Sequence, residues 1–318
     1  MLLRQLEYLV ALARERHFAR AAEACHVSQP ALSEGLRKLE EELKVLLVRR
    51  GRAYEGLTPE GERILRRAQR LLADRDALRE EATALRTGLG GTLRIGSVPT
   101  ASGAVALLTD PFCAAHPLAS VELRTDLRAE EVLRRVRDFE IDAGITYAPD
   151  GAAEGVRTHP LYEERYVLLT TELTSELTTE LTTELTTETD EQGGPDATWE
   201  QAATLPLCLL EPGMQGRRVL DDVFTGLGLA PRPRVETDSV ASLFAHVRTG
   251  RWASVVPYAW LHVFGVPSGM RALPLTTPEH GAPIALVLPD RRPAPPMARA
   301  LLEVARRTDL AGVLNRLP

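Results

Sequence analysis

The first apolar positions, Leu3, Leu6, Leu9, Val10 and Leu12, recur at helical spacing and predict a helix over residues 3–16. A second short helix, 18–24, carries the small residues Ala21 and Ala22, which let two helices cross closely. His26 and Val27 leave room only for a tight turn, with Val27 filling the gap between the helices. The next stretch, SQPALSEGLRKLEEEL, places Ala31, Leu32, Leu36, Leu39 and Leu43 on one face of a third helix. Ser28 suits its N-cap and Pro30 its first turn, where a missing N–H costs nothing. Helix, tight turn, helix, with the second helix opening on exposed polar residues, is the helix-turn-helix plan. A basic, glycine-bearing stretch of hairpin size, 48–58, follows; next to a helix-turn-helix it predicts a wing carrying Arg49, Arg50 and Arg52, with an ordinary exposed basic turn as the alternative.

The pattern then lengthens. Thr58 caps a helix with Pro59 at its first position and Glu60 and Glu62 in its first turn. Ile64, Ala68, Leu71, Leu78, Ala82 and Leu85 keep a 4-3 rhythm, broken by Arg75, until the glycines at 88, 90 and 91. One apolar stripe on so long a helix must be buried, against a second chain or the protein's own body. From Thr92 short apolar runs alternate with helical stretches, as in an α/β domain. Strands are predicted at 93–98, 121–125, 142–147, 166–170, 207–210, 235–237, 253–257 and 284–288. Helices are predicted at 100–115, 130–139, 217–227, 240–249 and 297–307. Two βα series with a returning last segment predict two lobes around a cleft.

Charge changes the picture more than length does. The net charge of the 318 residues is −6, yet residues 1–86 hold 17 Lys or Arg against 14 Asp or Glu. The remainder holds 21 against 30, so a modest positive surplus sits on the helix-turn-helix part of an acidic chain. Cys25, Cys113 and Cys208 are too few and too scattered for a disulfide framework or zinc site. Residues 1–20 mix charges into their apolar pattern, and no apolar run is long enough to span a bilayer. A soluble, cytoplasmic protein without a membrane partner is expected.

Several short stretches, Leu6-Glu7-Tyr8-Leu9-Val10-Ala11-Leu12, His17-Phe18, Arg20-Ala21-Ala22, Val27-Ser28-Gln29-Pro30-Ala31-Leu32-Ser33, Leu39-Glu40 and Leu57-Thr58-Pro59-Glu60-Gly61, resemble LysR-type transcriptional regulators. The resemblance is dense over residues 3–64 and looser downstream. It implies an α/β fold class with an N-terminal all-α winged helix-turn-helix and a two-lobed effector-binding domain like periplasmic solute-binding proteins. The domains expected are 1–58 for DNA binding, 59–90 for the dimerising linker helix and 91–318 for the effector. Its first lobe would hold about 91–165 and 268–318, its second about 166–267, with crossings near 166–170 and 264–267. Implied partners are double-stranded promoter DNA, a small-molecule effector, a second copy in a dimer or tetramer, and RNA polymerase. No cofactor is implied. The chain departs from the family at Glu34 and Gly35, where basic or amide residues are common, so no target sequence carries over.

On the recognition helix, Ser28 can donate to a phosphate, Gln29 can read a base edge and Pro30 can touch a thymine methyl. Ser33 and Arg37 follow along the same helix, and Arg20, Arg50 and Arg52 complete the DNA candidates. In the second domain, ligands of such sheets sit beyond the strand ends, at helix N-termini. That places the effector at Ser97, Thr100, Ser102, Tyr147, Met214 and Gln215, the positions the resemblance also implies. Thr100 and Ser102 also have the chemistry of plain N-caps. Two helix N-termini favour an anion, and Arg217 and Arg218 are cations in reach.

Between the lobes runs a four-residue repeat, TELTSELTTELTTELTTET, within an insertion at 171–195. It stacks glutamates at i,i+4 and uses threonine, a poor helix former, so an expanded surface loop is expected, with a partner-binding helix as the alternative. No Ser/His/Asp, metal-ligand or phosphate-loop arrangement appears, and the seven histidines lack ligand spacing, so no enzyme is expected. Cys208 lies in the apolar run Leu207–Leu210 and reads as a buried structural thiol; a redox sensor acting through it is the alternative. The family's peroxide-sensing subgroup shares the wording from Cys25 to Pro30. It places its reactive cysteine just after a Glu-x-Gly turn, where this chain has Glu211-Pro212-Gly213-Met214-Gln215.

Overall fold

The computed structural model describes residues 1–50, 54–149, 151, 153–171, 196–277 and 279–317. The chain forms two compact units, Met1–Gly90 with Asp138–Glu140, and Gly91–Arg137 with Ile141–Pro318. The repeat at 172–195 and the wing residue Arg52 lie outside the described residues, as does the side chain of Arg50.

The N-terminal unit is built from α1 (Leu3–Glu15), α2 (Phe18–Ala24), α3 (Gln29–Leu43), the hairpin β1 (Val48–Arg50) with β2 (Tyr54–Leu57), and α4 (Pro59–Thr87). Their apolar faces meet in one core, where Leu9, Leu12, Ala21, Leu32, Leu36, Leu39 and Leu47 are wholly buried. Val27 packs against that core from the turn, as its position between α2 and α3 predicts. Glu40 is the buried charge here, and its Oε1 accepts hydrogen bonds from the backbone N–H of Leu47 (2.9 Å) and Val48 (3.1 Å). It thereby anchors the entry to the wing. Thr58 Oγ1 accepts from Gly61 N (2.8 Å) and caps α4, while a Cβ at Gly61 would run into the Leu47 carbonyl.

Along α4, Ala68 and Leu72 join the core, and Arg75 pairs with Glu7 of α1 and with Asp76. The charged break in the stripe therefore belongs to the face that α1 covers. Leu71, Leu78 and Leu85 lie on another face and are 45%, 71% and 82% exposed, the apolar seam that a single chain leaves open.

The C-terminal unit holds two sheets. The first has the order β4 (Leu118–Arg124), β3 (Gly90–Ser97), β5 (Ala143–Tyr147), β13 (Ala282–Pro289), β6 (Val156–Glu164). Helices α5 (Ser102–Ala115), α6 (Ala129–Arg137), α11 (Pro296–Arg307) and α12 (Leu310–Leu314) belong to this lobe. The second sheet runs β11 (Ser254–Pro257), β7 (Tyr166–Thr171), β12 (Met270–Thr277), β8 (Ala197–Thr198). The parallel pair β9 (Cys208–Leu210) and β10 (Val235–Thr237) attaches to it through the bridge Leu207–Ala253. Its helices are α7 (Trp199–Thr204), α8 (Gln215–Gly226), α9 (Val240–Arg248) and α10 (Tyr258–Phe264), packed around Trp199, Phe224 and Trp260.

Two expectations change. The chain returns to the first lobe between β12 and β13, not at 264–267, because Met270–Pro274 pairs antiparallel with β7, Leu275 and Thr277 pair parallel with β8, and β12 so lies in the second lobe. The lobe boundary at 268 therefore moves past 277. The other crossing is a single residue, Arg165, between β6 and β7.

Candidate functional site

The two candidate sites, one in each unit, are both built at helix N-termini. At α3, Ser28 Oγ accepts from Ala31 N at 3.3 Å and ends the turn in extended conformation. The side chains of Gln29 and Pro30 are exposed and that of Ser33 is half-buried, while Leu32, Leu36 and Leu39 hold the opposite face at zero exposure. Arg37 is exposed and bidentate to Glu34 (2.9 and 3.0 Å), with Glu41 as a further partner. The guanidinium beside Glu34 holds that carboxyl below the usual range. Exposed pairs of this kind are weak and screened by solvent, so Arg37 can exchange them for a phosphate or base at little cost. Arg20 donates to the Glu15 carbonyl at 2.7 Å and is also exposed. Gly35, one of the departures from the resemblance, faces inward: a Cβ there would come within 2.7 Å of the Tyr8 ring. Its smallness serves the packing of α3 on α1.

At the C-terminal unit, a cleft of about 230 Å³ opens between the lobes. The first lobe lines it with Val98, Pro99, Thr100, Asp126, Arg128 and Tyr147, and the second with Leu210, Glu211, Met214, Gln215, Gly216 and Asp238. Thr100, Tyr147, Met214 and Gln215 are thus brought together. Ser97 and Ser102 are not among the lining residues: Ser97 is buried at the end of β3, and Ser102 is the first residue of α5, one turn past the cleft. Neither Thr100 nor Ser102 caps α5, whose N-cap, Ala101, has no side-chain bond. Instead Thr100 Oγ1 sits 3.0 Å from the Tyr147 hydroxyl. Gly216 makes the approach of α8 possible, since a Cβ there would meet that hydroxyl at 3.0 Å and Thr100 Cγ2 at 3.1 Å.

The charges at the cleft differ from expectation. Arg217 is buried and committed, with Asp221 (2.8 Å), Glu236 (2.7 Å) and the Leu210 carbonyl (2.7 Å) as acceptors, and does not line the cleft. Arg218 pairs with Glu130 at 3.4 Å and Arg128 with Glu211 at 3.2 Å, two ion pairs that join the lobes. Asp126 and Asp238 line the cleft beside the exposed pair of Arg128 with Glu211, so among the described lining residues carboxylates outnumber cations, an arrangement that favours an anion less than expected. A helix N-terminus supplies about half a positive charge, less than these two carboxylates oppose.

Sequence reasoning missed Glu164. It is 1% exposed, and its Oε1 accepts from the hydroxyls of Tyr147 and Tyr166, both at 2.8 Å. Burial pushes its carboxyl up to about 7 against the donation of those hydroxyls. The one signal was the alternation in Tyr162-Glu163-Glu164, which puts the second glutamate on the inward face of β6. Cys208 is fully buried in β9, and burial pushes its thiol up to about 11. Among the described residues no His, Cys, Asp and Glu cluster can hold a metal ion, and no helix is long and apolar enough to cross a membrane.

Residues 3–62 match the family model of bacterial regulatory helix-turn-helix proteins of the lysR family, and residues 86–309 match the LysR substrate binding domain. A hydrogen peroxide-inducible genes activator of Haemophilus influenzae is 28% identical over 315 residues, which span 96% of this chain and 95% of that protein. The DNA-binding transcriptional dual regulator OxyR of Escherichia coli is 46% identical over 100 residues, 31% of this chain and 33% of that one. Among solved structures, a full-length OxyR variant from Pseudomonas aeruginosa superposes with a TM-score of 0.74 at 28% identity, covering 98% of this chain and 96% of that one. The full-length CbnR in complex with its target DNA has a TM-score of 0.61 at 21% identity, covering 97% and 100%, and shares the fold.

Proposed function

The chain belongs to the LysR family of DNA-binding transcriptional regulators, and from that premise we propose how its own residues read DNA and sense an effector. α3 enters the major groove. Gln29 pairs with a base edge, Pro30 and Ser33 flank it, and Arg37 leaves Glu34 for DNA. Arg20 and Ser28 hold phosphates, and Arg50 and Arg52 reach the backbone from the wing. The observation that carries this reading is the division of α3 into a wholly buried leucine face and an exposed Gln29-Pro30 turn capped by Ser28. The apolar seam Leu71, Leu78 and Leu85 pairs two copies, as a dimer or a pair of dimers, so that two recognition helices address one promoter in the cytoplasm. A small effector bound between the lobes changes how the paired reading heads are presented to RNA polymerase. The protein works by binding, without a catalytic step.

Several relatives are named for hydrogen peroxide. Cys208 is a poor candidate for carrying that response in this chain. No cysteine follows the Glu211-Pro212-Gly213 turn, and the Cys208 thiol is buried and poorly ionised, the opposite of a reactive thiolate.

The test of base readout is Gln29→Ala, titrated on a selected promoter site and on random duplex. A loss of about 1–3 kcal/mol on the selected site with random binding unchanged is expected. Equal loss on both would show that Gln29 touches only the backbone.

A further inference from the structure

Glu164 ends β6 and Tyr166 begins β7, so the buried carboxyl stands at the crossing from one lobe to the other. The groups that face it are Thr100 from the turn before α5, Tyr147 from β5, Tyr162 from its own strand and Tyr166 from β7. None of these carries a positive charge. Its Oε2 has no hydrogen-bond partner among the described residues. A buried carboxylate without a cation is costly. What the group does supply is direction. An ionised carboxylate only accepts hydrogen bonds, and a phenol has a single proton. With Tyr147 donating to Glu164 at 2.8 Å, the Tyr147 oxygen has only lone pairs left for its other neighbours, Thr100 and the cleft.

We propose that Glu164 is a positioning residue for the effector: while ionised it holds the Tyr147 hydroxyl as a donor turned away from the cleft, so the cleft presents an acceptor there and selects a small cationic amine. The proposal rests on the reading that the effector occupies this cleft. The other charged side chains agree, because the lining carboxylates Asp126, Glu211 and Asp238 outnumber the one lining cation, Arg128. Since burial raises the Glu164 carboxyl to about 7, the constraint holds above that pH and is released below it. A protonated Glu164 can itself donate to Tyr147, whose proton is then free to point at Thr100 or at a ligand's acceptor.

The test uses full-length protein and a pair of probes of equal size and opposite charge, propylammonium and propionate, both of which keep their charge between pH 6 and pH 8.5. Binding is read by thermal shift at each pH. The wild type is expected to prefer propylammonium at both pH values, since Asp126 and Asp238 line the cleft, and about tenfold more strongly at pH 8.5 than at pH 6, the scale of one hydrogen bond to a charged group. Glu164→Gln keeps an acceptor oxygen and cannot ionise, so its preference is expected to persist at both pH values. Glu164→Leu is expected to show the weaker preference, that of the wild type at pH 6, at both. Tyr147→Phe, which removes the hydroxyl and leaves the carboxyl, is expected to do the same should the leucine variant fold poorly. A wild type that favours propionate, or a preference indifferent to pH and to these substitutions, would overturn the proposal while leaving the cleft reading intact. Failure of both probes to bind at either pH would overturn the cleft reading, and the proposal with it.

Discussion

Two helices of this protein start with glutamine and use their first turns in opposite ways. α3 opens at Gln29 behind Ser28, whose hydroxyl satisfies a free backbone N–H and leaves the side chains facing outward. α8 opens at Gln215 behind Met214, which provides no side-chain cap, and its second residue is pressed against Thr100 and Tyr147. The first arrangement is a reading head: rigid apolar packing behind, polar groups in front. The second is a closure surface, where the backbone itself is brought to the wall of the cleft. The difference teaches that the same helix-start chemistry serves display or enclosure according to whether a cap is present and whether the next residue has a side chain.

The strongest way to break the comparison is to remove the packing behind each helix. Leu36→Ala empties a wholly buried position under α3, and Leu220→Ala empties a nearly buried one, 5% exposed, on α8. Each is expected to cost about 2–5 kcal/mol in denaturant unfolding, with DNA binding failing for Leu36→Ala. Gly216→Ala tests enclosure itself. The added methyl meets the Tyr147 hydroxyl at 3.0 Å, so a cost of about 1–3 kcal/mol is expected, and a fully stable Gly216→Ala would mean that α8 sits more loosely than described.

Ser28→Ala tests display. Loss of the cap is expected to cost about 1 kcal/mol in stability, with a parallel fall in affinity for any duplex, measured by fluorescence anisotropy. The smallest effect is expected at the rim of the cleft. Arg218→Ala removes the exposed pair with Glu130, and a change below about 0.5 kcal/mol that vanishes at high salt is expected in thermal melts. A larger, salt-insensitive loss would mark this pair as a latch between the lobes.

The reading head was largely legible in the sequence. The spacing of Leu32, Leu36 and Leu39 and the Ser28 cap are local signals, and a helix with one apolar stripe has few ways to be buried. The long helix from Thr58 was legible for the same reason, apart from the part of Arg75, which only its approach to Glu7 reveals. The second unit was less legible. β6 and β12 contain Pro160 and Pro274 and lack clean alternation, so their strands, and with them the lobe boundary, escaped notice. Arg217 read as a possible effector ligand and is instead an internal tie, because Asp221 lies one turn along its own helix and Glu236 arrives from β10.

What the sequence determined by itself was therefore the features set by neighbours within a turn or two in the N-terminal unit: its helix starts, its apolar faces and the family they point to. The tertiary structure alone decided which polar groups lose water. Glu164 sits in the charged run Glu163-Glu164-Arg165 and reads as a solvated edge. The antiparallel register of β6 on β13, pairing Glu164 with Ala282, turns that one side chain inward beneath Tyr147. Solvation is a property of surroundings brought from distant parts of the chain, and a carboxyl's charge and hydrogen-bond direction follow from it.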